Sequence, residues 1–409
     1  MTAPKKKDKG EASEAPDNTD KMVQDLIKDL NREHQTRVAW NLSTDLSPTH
    51  VKRWISTGCL QLDYAVANKR DGGLPEGRII EIYGPPSIGK SHIAAQICRS
   101  CQKMGGIAVY IDTENAVNPE NLTALGVDVT KRFIYVETGC VEDTFQVMES
   151  IINKVKASSK DLPVVIIWDS VAATPAKAEL EADYDKDSIG LQARQLSKGF
   201  RKVTQLIGNQ NVTLVCLNQI RTKIGVMYGD PMTTSGGLAL PFHASTRISL
   251  TGGKREDPKT KEFFGIEVNA YVMKNKVAAP FRKISFEIHF GKGIAESETL
   301  FDSLRQYCDD HKVIKNGKEM RISGTQAWKE LVVSDAKTGE VIVEKKFYKS
   351  DFGGLMRDPQ YRPYILDITE AALTRTVEQQ KADQYAAGEV DEDGYEITVE
   401  TPQTAKKEA

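Results

Sequence analysis

Gly84-Pro85-Pro86-Ser87-Ile88-Gly89-Lys90-Ser91 decides the fold. The apolar run 78–83 precedes it and a helical segment, 92–104, follows. Strand, glycine loop and helix in that order are the setting of a phosphate-binding loop, and the spacing fits G-x-x-x-x-G-K-[ST] in full. Glycines let the backbone approach phosphate oxygens, and successive backbone N–H groups point at them. Lys90 can reach the β- and γ-phosphates of a nucleotide as a point charge. The Ser91 hydroxyl is placed to hold Mg²⁺.

A chain of 409 residues can bury a large core. Its apolar and charged fractions are those of a soluble globular protein. No apolar run approaches the roughly 20 residues of a membrane span. The basic Lys5-Lys6-Lys7 lacks the apolar stretch of a secretory signal. The formal net charge of −2 makes no global case for nucleic acid, so any such binding needs a local basic surface. Six irregularly spaced cysteines do not form a disulfide framework, and Cys98 and Cys101 lack the second pair a zinc site needs. Reduced thiols and a cytoplasmic location are expected.

Residues 1–20 are nearly free of large apolar side chains and are expected to form a disordered tail. Val23, Leu26, Ile27 and Leu30 then fall at i, i+3, i+4 and i+7, one stripe of an amphipathic helix. A lone helix of that length needs something to pack on, either its own domain or a neighbouring subunit. From 55 to 290 apolar strands alternate with helical segments. Strands are expected at 79–83, 107–111, 133–136, 164–168, 213–217 and 245–250. That alternation predicts an α/β fold whose mostly parallel, twisted sheet is covered on both faces. In 283–290, Ile284, Phe286, Ile288 and Phe290 face one way and Ser285, Glu287 and His289 the other, as in antiparallel strands at a sheet edge. The expected division is a tail (1–20), an N-terminal helix and linker (21–54), an α/β core that carries the phosphate loop (55–293), a small α+β appendage (294–375) and an acidic flexible tail (376–409).

The strand 164–168 ends in Asp169, where a carboxylate can orient Mg²⁺ through water. Asp112 and Glu114 end a neighbouring strand. Glu114 extends further and is the better base for activating water, while Asp112 supports the strand end or the metal's water shell. Asn218-Gln219 ends the next strand, and an amide there can report a γ-phosphate. A long glycine-rich loop, 220–237, follows, and such loops are functional or disordered. The helix 190–207 carries Leu196, Phe200, Val203 and Ile207 on one side. Arg194, Lys198, Arg201 and Lys202 lie on the other, with no acid among them, a face suited to a polyanion.

Together these segments resemble the RecA family of recombinases. The resemblance rests on Ile55-Ser56-Thr57-Gly58, Gly73-Leu74-Pro75-Glu76-Gly77-Arg78, the phosphate loop and Tyr110-Ile111-Asp112-Thr113-Glu114. It continues through Asp169-Ser170-Val171-Ala172-Ala173, Gly190-Leu191-Gln192-Ala193-Arg194, the run from Asn218 to Gly229, and Lys274-Asn275-Lys276-Val277-Ala278-Ala279-Pro280-Phe281. The appendage resembles that of phage recombinases of the UvsX type. The resemblance implies a DNA-dependent ATPase that binds ATP and Mg²⁺ between subunits of a helical filament. It also implies homologous pairing of single-stranded with duplex DNA in recombination and repair, with single-strand-binding and loader proteins as further partners and no membrane. By matching position it implies that Lys90 and Ser91 bind phosphate and Mg²⁺, Asp169 supports the metal, Glu114 activates water and Gln219 senses the γ-phosphate. Lys274 and Lys276 would reach that phosphate from the adjacent subunit, both pointing one way from a strand, and Phe242 would couple ATP to DNA across the interface. Arg194, Ser197, Arg201, Arg221, Lys223, Gly236 and Gly237 would hold DNA, and Ile224 would wedge between bases. The terminal helix would pack on the next subunit. Asn121 stands where the family carries an aromatic residue, Asn118 where it carries an acid, and Pro241 where it is usually basic. A ring-shaped helicase or a regulatory paralogue would share the ATP residues; the former would lack the 274–281 segment in this form.

Overall fold

Runs of β-branched and aliphatic residues form a ten-stranded sheet with helices on both faces. The computed structural model describes residues 18–34, 37–42, 50–182, 190–222, 232–324, 327–375 and 379. The strands are β1 (Ile79–Gly84), β2 (Ile107–Asp112), β3 (Phe133–Glu137), β4 (Val164–Asp169), β5 (Val212–Thr222), β6 (Met232–Thr234), β7 (Thr246–Glu256), β8 (Phe263–Asn275), β9 (Lys283–His289) and β10 (Gly293–Ile294). Their order is β10-β9-β8-β7-β1-β5-β4-β2-β3, with β6 paired to β5. The pairs from β7 to β3 are parallel; β7 to β10 pair antiparallel, so the sheet has an antiparallel edge as its alternation predicts.

Two apolar layers hold the sheet. On one face pack α1 (Leu60–Ala67) and α2 (Lys90–Lys103), burying Leu62, Ile93, Ile97 and Cys98. On the other pack α3 (Val141–Ser158) and α4 (Leu191–Gln210), burying Phe145, Met148, Leu196 and Phe200. Phe145 meets Trp168 and Phe200 edge-to-face, with ring centroids 5.4 and 5.2 Å apart. All six cysteines are buried free thiols. Among the described residues no helix is long and apolar enough to cross a membrane.

The appendage is a four-stranded antiparallel sheet, Val313–Lys315, Lys318–Ser323, Trp328–Asp335 and Val341–Tyr348, under the helices Glu296–Asp310 and Arg362–Leu373. Its own core includes Phe301, Phe347, Phe352 and Ile368. It is tied to α1 by buried Arg282, which donates to the Tyr64 carbonyl at 2.6 Å and to that of Leu373. Arg70 and Asp367 add a pair at 2.8 Å.

Four sequence expectations need correction. The N-terminal helix spans Asn18–Glu33 and so begins inside the stretch assigned to the tail. Within it Met22, Val23 and Leu26 are exposed, and Asn31 Oδ1 accepts the backbone N–H groups of Val38 and Ala39 at 2.7 and 2.9 Å, folding the following segment back. The glycine-rich loop is shorter than its composition suggests: Ile220, Arg221 and Thr222 pair antiparallel with Thr234, Thr233 and Met232, because this β-branched stem favours a ribbon. Phe290 lies beyond the end of β9 and is 50% exposed, whereas Phe286 and Ile288 are fully buried. A register shift between Val272 and Lys274, with β8 ending at Asn275, leaves only Lys274 of the lysine pair inside the strand. The acidic stretch 183–187, most of the C-terminal tail, Lys223 and Ile224 fall outside the described residues.

Packing makes two glycines of α4 opposites. A Cβ on Gly199 would lie 2.1 Å from the Phe145 ring, whereas one on Gly208 would meet nothing within 4 Å. We expect Gly199→Ala to destabilise the protein by about 1–3 kcal/mol through overpacking. Gly208→Ala should stabilise it by up to about 1 kcal/mol by restricting the unfolded chain. Urea unfolding of both variants checks the pair.

Candidate nucleotide site and nucleic-acid interface

Strand registers bring the candidate residues to one edge of the sheet. Gly84 lies beside Gln219 across β1 and β5, and Asp112 beside Asp169 across β2 and β4. The apolar strands end there, and polar residues take over where the loops begin.

Gly84, Ile88 and Gly89 pack inward while Pro85, Pro86 and Ser87 are exposed. Gly89 has φ +94°, and a Cβ there would lie 2.4 Å from Ile288 Cδ1, so the backbone conformation favours glycine. Lys90 begins α2, and its Nζ donates to the carbonyls of Gly84 at 3.0 Å and Pro85 at 2.7 Å. Burial lowers the Lys90 pKa, while Asp169 and Glu114 act in the opposite direction. The arrangement provides a helix N-terminus and an ammonium group over one glycine loop, a fit to an anionic phosphate chain.

Asp169 Oδ2 accepts from Ser91 Oγ at 2.9 Å and Tyr110 OH at 2.6 Å. Burial raises its pKa, and the two hydroxyl bonds oppose that shift. A cation beside Ser91 would offset the desolvation of this carboxylate. No cluster of three or more His, Cys, Asp or Glu side chains capable of holding a metal occurs among the described residues. Mg²⁺ would therefore depend on Ser91, Asp169, water and phosphate rather than on an all-protein cage.

Asp112 is buried and holds the turn after β2. Its carboxylate accepts the N–H groups of Glu114 and Val117, each at 3.0 Å, and the Tyr135 hydroxyl at 3.2 Å. Glu114 is thereby aimed across the edge, where its Oε1 accepts from Ser170 Oγ and from Gln219 Nε2 at 3.2 Å. The backbone of Gln219 is tied as well: its carbonyl accepts from the Ser235 N–H at 3.3 Å. One residue thus touches Glu114 with its side chain and the return of the 220–237 segment with its backbone.

Beneath Gln219 lies a polar network inside the sheet. Fully buried Glu81 pairs with Arg247 at 2.5 Å and accepts from Asn218 Nδ2 at 3.0 Å. The same Nδ2 donates to the Ser235 carbonyl at 3.1 Å, and Asn218 Oδ1 accepts the Gln219 N–H at 2.9 Å. Arg247 also lies 4.8 Å from the centroid of the Tyr83 ring.

Lys274 belongs to a different charge cluster. Its Nζ donates to the carbonyls of Pro241 at 2.7 Å and Phe242 at 3.1 Å, at the end of the helix Ala239–His243. Burial lowers its pKa first, then the charges of Lys276 and Arg247. Lys276 is exposed, and Phe242 beside it is 69% exposed.

The basic helix face is present, with Arg194, Lys198, Arg201 and Lys202 exposed on α4. It is not free of acid, however: Lys202 reaches Glu149 of α3 at 3.2 Å, a partner that a single-helix projection cannot reveal. Arg201 donates from Nε to the Ser197 carbonyl at 3.2 Å. Gly236 and Gly237, at φ +86° and +74°, pack against Leu196 and Ala193 of the same helix. Gln192 and Glu179 share a concavity of about 310 Å³ with the two glycines, so the return of the 220–237 segment meets the start of α4. Arg221 lies in the β5–β6 ribbon opposite Thr233.

The RecA N-terminal domain family matches residues 21–295. The chain belongs to the RecA family. It is 43% identical to Protein RecA of Trichodesmium erythraeum over 249 residues, 61% of this chain and 66% of that protein. It is likewise 43% identical to Protein RecA of Treponema denticola over 254 residues, 61% of this chain and 58% of that protein, and to Protein RecA of a Nostoc species over 249 residues, with 61% and 66% coverage. The chain thus spans just under two thirds of the length of these relatives or less. The family match takes in the N-terminal helix and stops before the appendage.

Three partners in this RecA-family site escape sequence reasoning: Ser170 on Glu114, Glu81 on Asn218, and Arg247 on Glu81. A signal existed for one. Glu81 is a lone acid within an apolar strand, and a charge in that setting requires a partner. Removing it should therefore cost far more than removing a surface charge. Glu81→Ala is expected to destabilise the protein by about 3 kcal/mol, because part-buried Arg247 and buried Asn218 both lose their carboxylate partner. Lys202→Ala, which breaks the surface pair with Glu149, should cost less than about 1 kcal/mol. Chemical denaturation of the two variants measures the difference.

Proposed function

We propose that this chain is a DNA-dependent ATPase that assembles as a helical filament on single-stranded DNA and carries out homologous pairing and strand exchange with duplex DNA. The observation that carries the reading is Gln219, which reaches Glu114 with its side chain and holds the Ser235 turn with its backbone. A change at the nucleotide can pass through it to the segment that meets the basic helix.

Bound ATP supplies the phosphoanhydride to be hydrolysed, and Mg²⁺ neutralises charge on its phosphates. The chain's residues do the rest. Lys90 and the N–H groups of the loop from Gly84 to Ser91 would hold the phosphates, with Ser91 and Asp169 beside the metal. Glu114 would orient water and take its proton. Asp112 keeps Glu114 in place through the turn it clamps. Lys274 and Lys276 would act on the nucleotide of an adjacent subunit, since Lys274 is held on the carbonyls of Pro241 and Phe242 rather than on this chain's own phosphate loop. Phe242, exposed beside them, would be the interface contact that couples the two. On the DNA side Arg194, Ser197, Arg201, Arg221, Gly236 and Gly237 would track the phosphate backbone, joined by Lys223 and by Ile224 between bases. The N-terminal helix would dock on the next subunit with its exposed stripe. The appendage and the acidic tail would adjust access to duplex DNA, with single-strand-binding and loader proteins as further partners.

Phosphate release assayed with and without single-stranded DNA tests the proposal. Hydrolysis should rise strongly with DNA. In Lys274→Ala/Lys276→Ala it should fall by at least about a hundredfold, the scale of losing preorganised charge stabilisation. Hydrolysis indifferent to DNA and to the lysine pair would leave only a phosphate-loop ATPase.

A further inference from the structure

A hollow of about 240 Å³ continues from the phosphate loop. Its lining includes Ser91 and Asp169 of the phosphate site, the amides Asn118 and Asn121, and Leu122 and Phe290 among its apolar members. Phosphates at Lys90 would put the nucleoside here. The hydrogen-bonding groups of this hollow set which base it accepts.

Asn118 caps the short helix Pro119–Ala124. Its Oδ1 accepts the N–H groups of Glu120 at 2.7 Å and Asn121 at 3.2 Å. Those two bonds fix the amide, since the opposite orientation would set an NH₂ group against two N–H donors. What Asn118 has left for a ligand is Nδ2, a donor only. A 6-amino group on a purine is itself a donor and gains nothing from it, whereas a 6-oxo group is an acceptor and pairs with it. The apolar wall is Phe290, half exposed, whose ring face is indifferent to which base lies on it. His92 lines the same hollow with Nε2 buried and without a partner among the described residues. Burial lowers its pKa and so favours the neutral ring. A neutral imidazole nitrogen can donate or accept according to tautomer, so it adds no bias toward a 6-amino base.

We infer that the nucleotide site does not select adenine and takes 6-oxopurine nucleoside triphosphates as well as ATP, with Asn118 as the residue that sets this. The inference rests on the proposed nucleotide site and concerns only the base. A site that recognised the 6-amino group would need a fixed acceptor; the capping bonds have taken the one that Asn118 offers, and Asn121, the other amide of the lining, can present oxygen or NH₂ alike and so adds no preference.

The test is competition for a fluorescent triphosphate bound to the full-length chain with Mg²⁺ and without DNA, using ATP, GTP and ITP. GTP and ITP should displace the probe with affinities within about tenfold of ATP. Asn118→Asp keeps the cap, because aspartate serves that role equally well, and puts a carboxylate oxygen where Nδ2 was. In that variant GTP and ITP should weaken relative to ATP by at least about tenfold, the 6-oxo oxygen now facing a like partner. ATP binding more than about tenfold tighter than GTP in the unaltered chain, or an ATP-to-GTP ratio unmoved by Asn118→Asp, would overturn the inference while leaving the nucleotide site standing. Failure of any triphosphate to bind would overturn the nucleotide site with it.

Discussion

A parallel sheet delivers every strand's carboxyl end to one edge, and strand register decides what meets there. In this chain β1 and β5 pair so that the phosphate loop starts beside Gln219, and β2 and β4 pair so that Asp112 and Asp169 are neighbours. A slip of one residue in a buried strand would turn its side chains to the opposite face and scatter these groups. The register is held by apolar burial on both faces, where strands such as Ile79–Gly84 are buried throughout. The chemistry at the edge therefore depends on packing far larger in energy than any single polar contact within it.

The exception to that apolar interior is the Glu81 network. Burying a carboxylate is costly unless a cation and further donors compensate it, and Arg247 and Asn218 do so. The network joins three elements that function would need to move together: the strand before the phosphate loop, the strand that carries Gln219, and the return turn at Ser235. Lys274 borders it, in register beside Arg247, and its ammonium donates to carbonyl groups at the end of a short helix. A cation in that position, apart from the chain's own phosphate loop and beside an exposed Phe242, is suited to a partner molecule. The proposal of a site completed by a second copy rests on that placement.

Much of this was legible in the sequence because it is local. The phosphate loop, the strand-end carboxylates and the amphipathic α4 follow from spacing over a few residues, and the RecA resemblance followed from those segments. What was not legible depended on contacts between distant segments. Glu149 against Lys202, Ser170 against Glu114, and Arg247 beneath Tyr83 come from different elements, and no periodicity announces them. The 220–237 stretch was misjudged because glycine content outweighed the β-branched stem that forms a ribbon. Lys276 leaves the two-residue period expected of it because β8 ends at Asn275, one residue short of it.

The central claim is that one active site is built from two copies of the chain. The most direct measurement mixes two inactive variants, Lys90→Ala and Lys274→Ala/Lys276→Ala, and follows ATP hydrolysis on single-stranded DNA. Where a Lys274→Ala/Lys276→Ala subunit supplies the phosphate loop and its Lys90→Ala neighbour supplies the lysine pair, an intact site forms. The account predicts that the mixture recovers hydrolysis that neither variant shows alone. A mixture as inactive as its components, though both variants still assemble on DNA, would contradict a shared site.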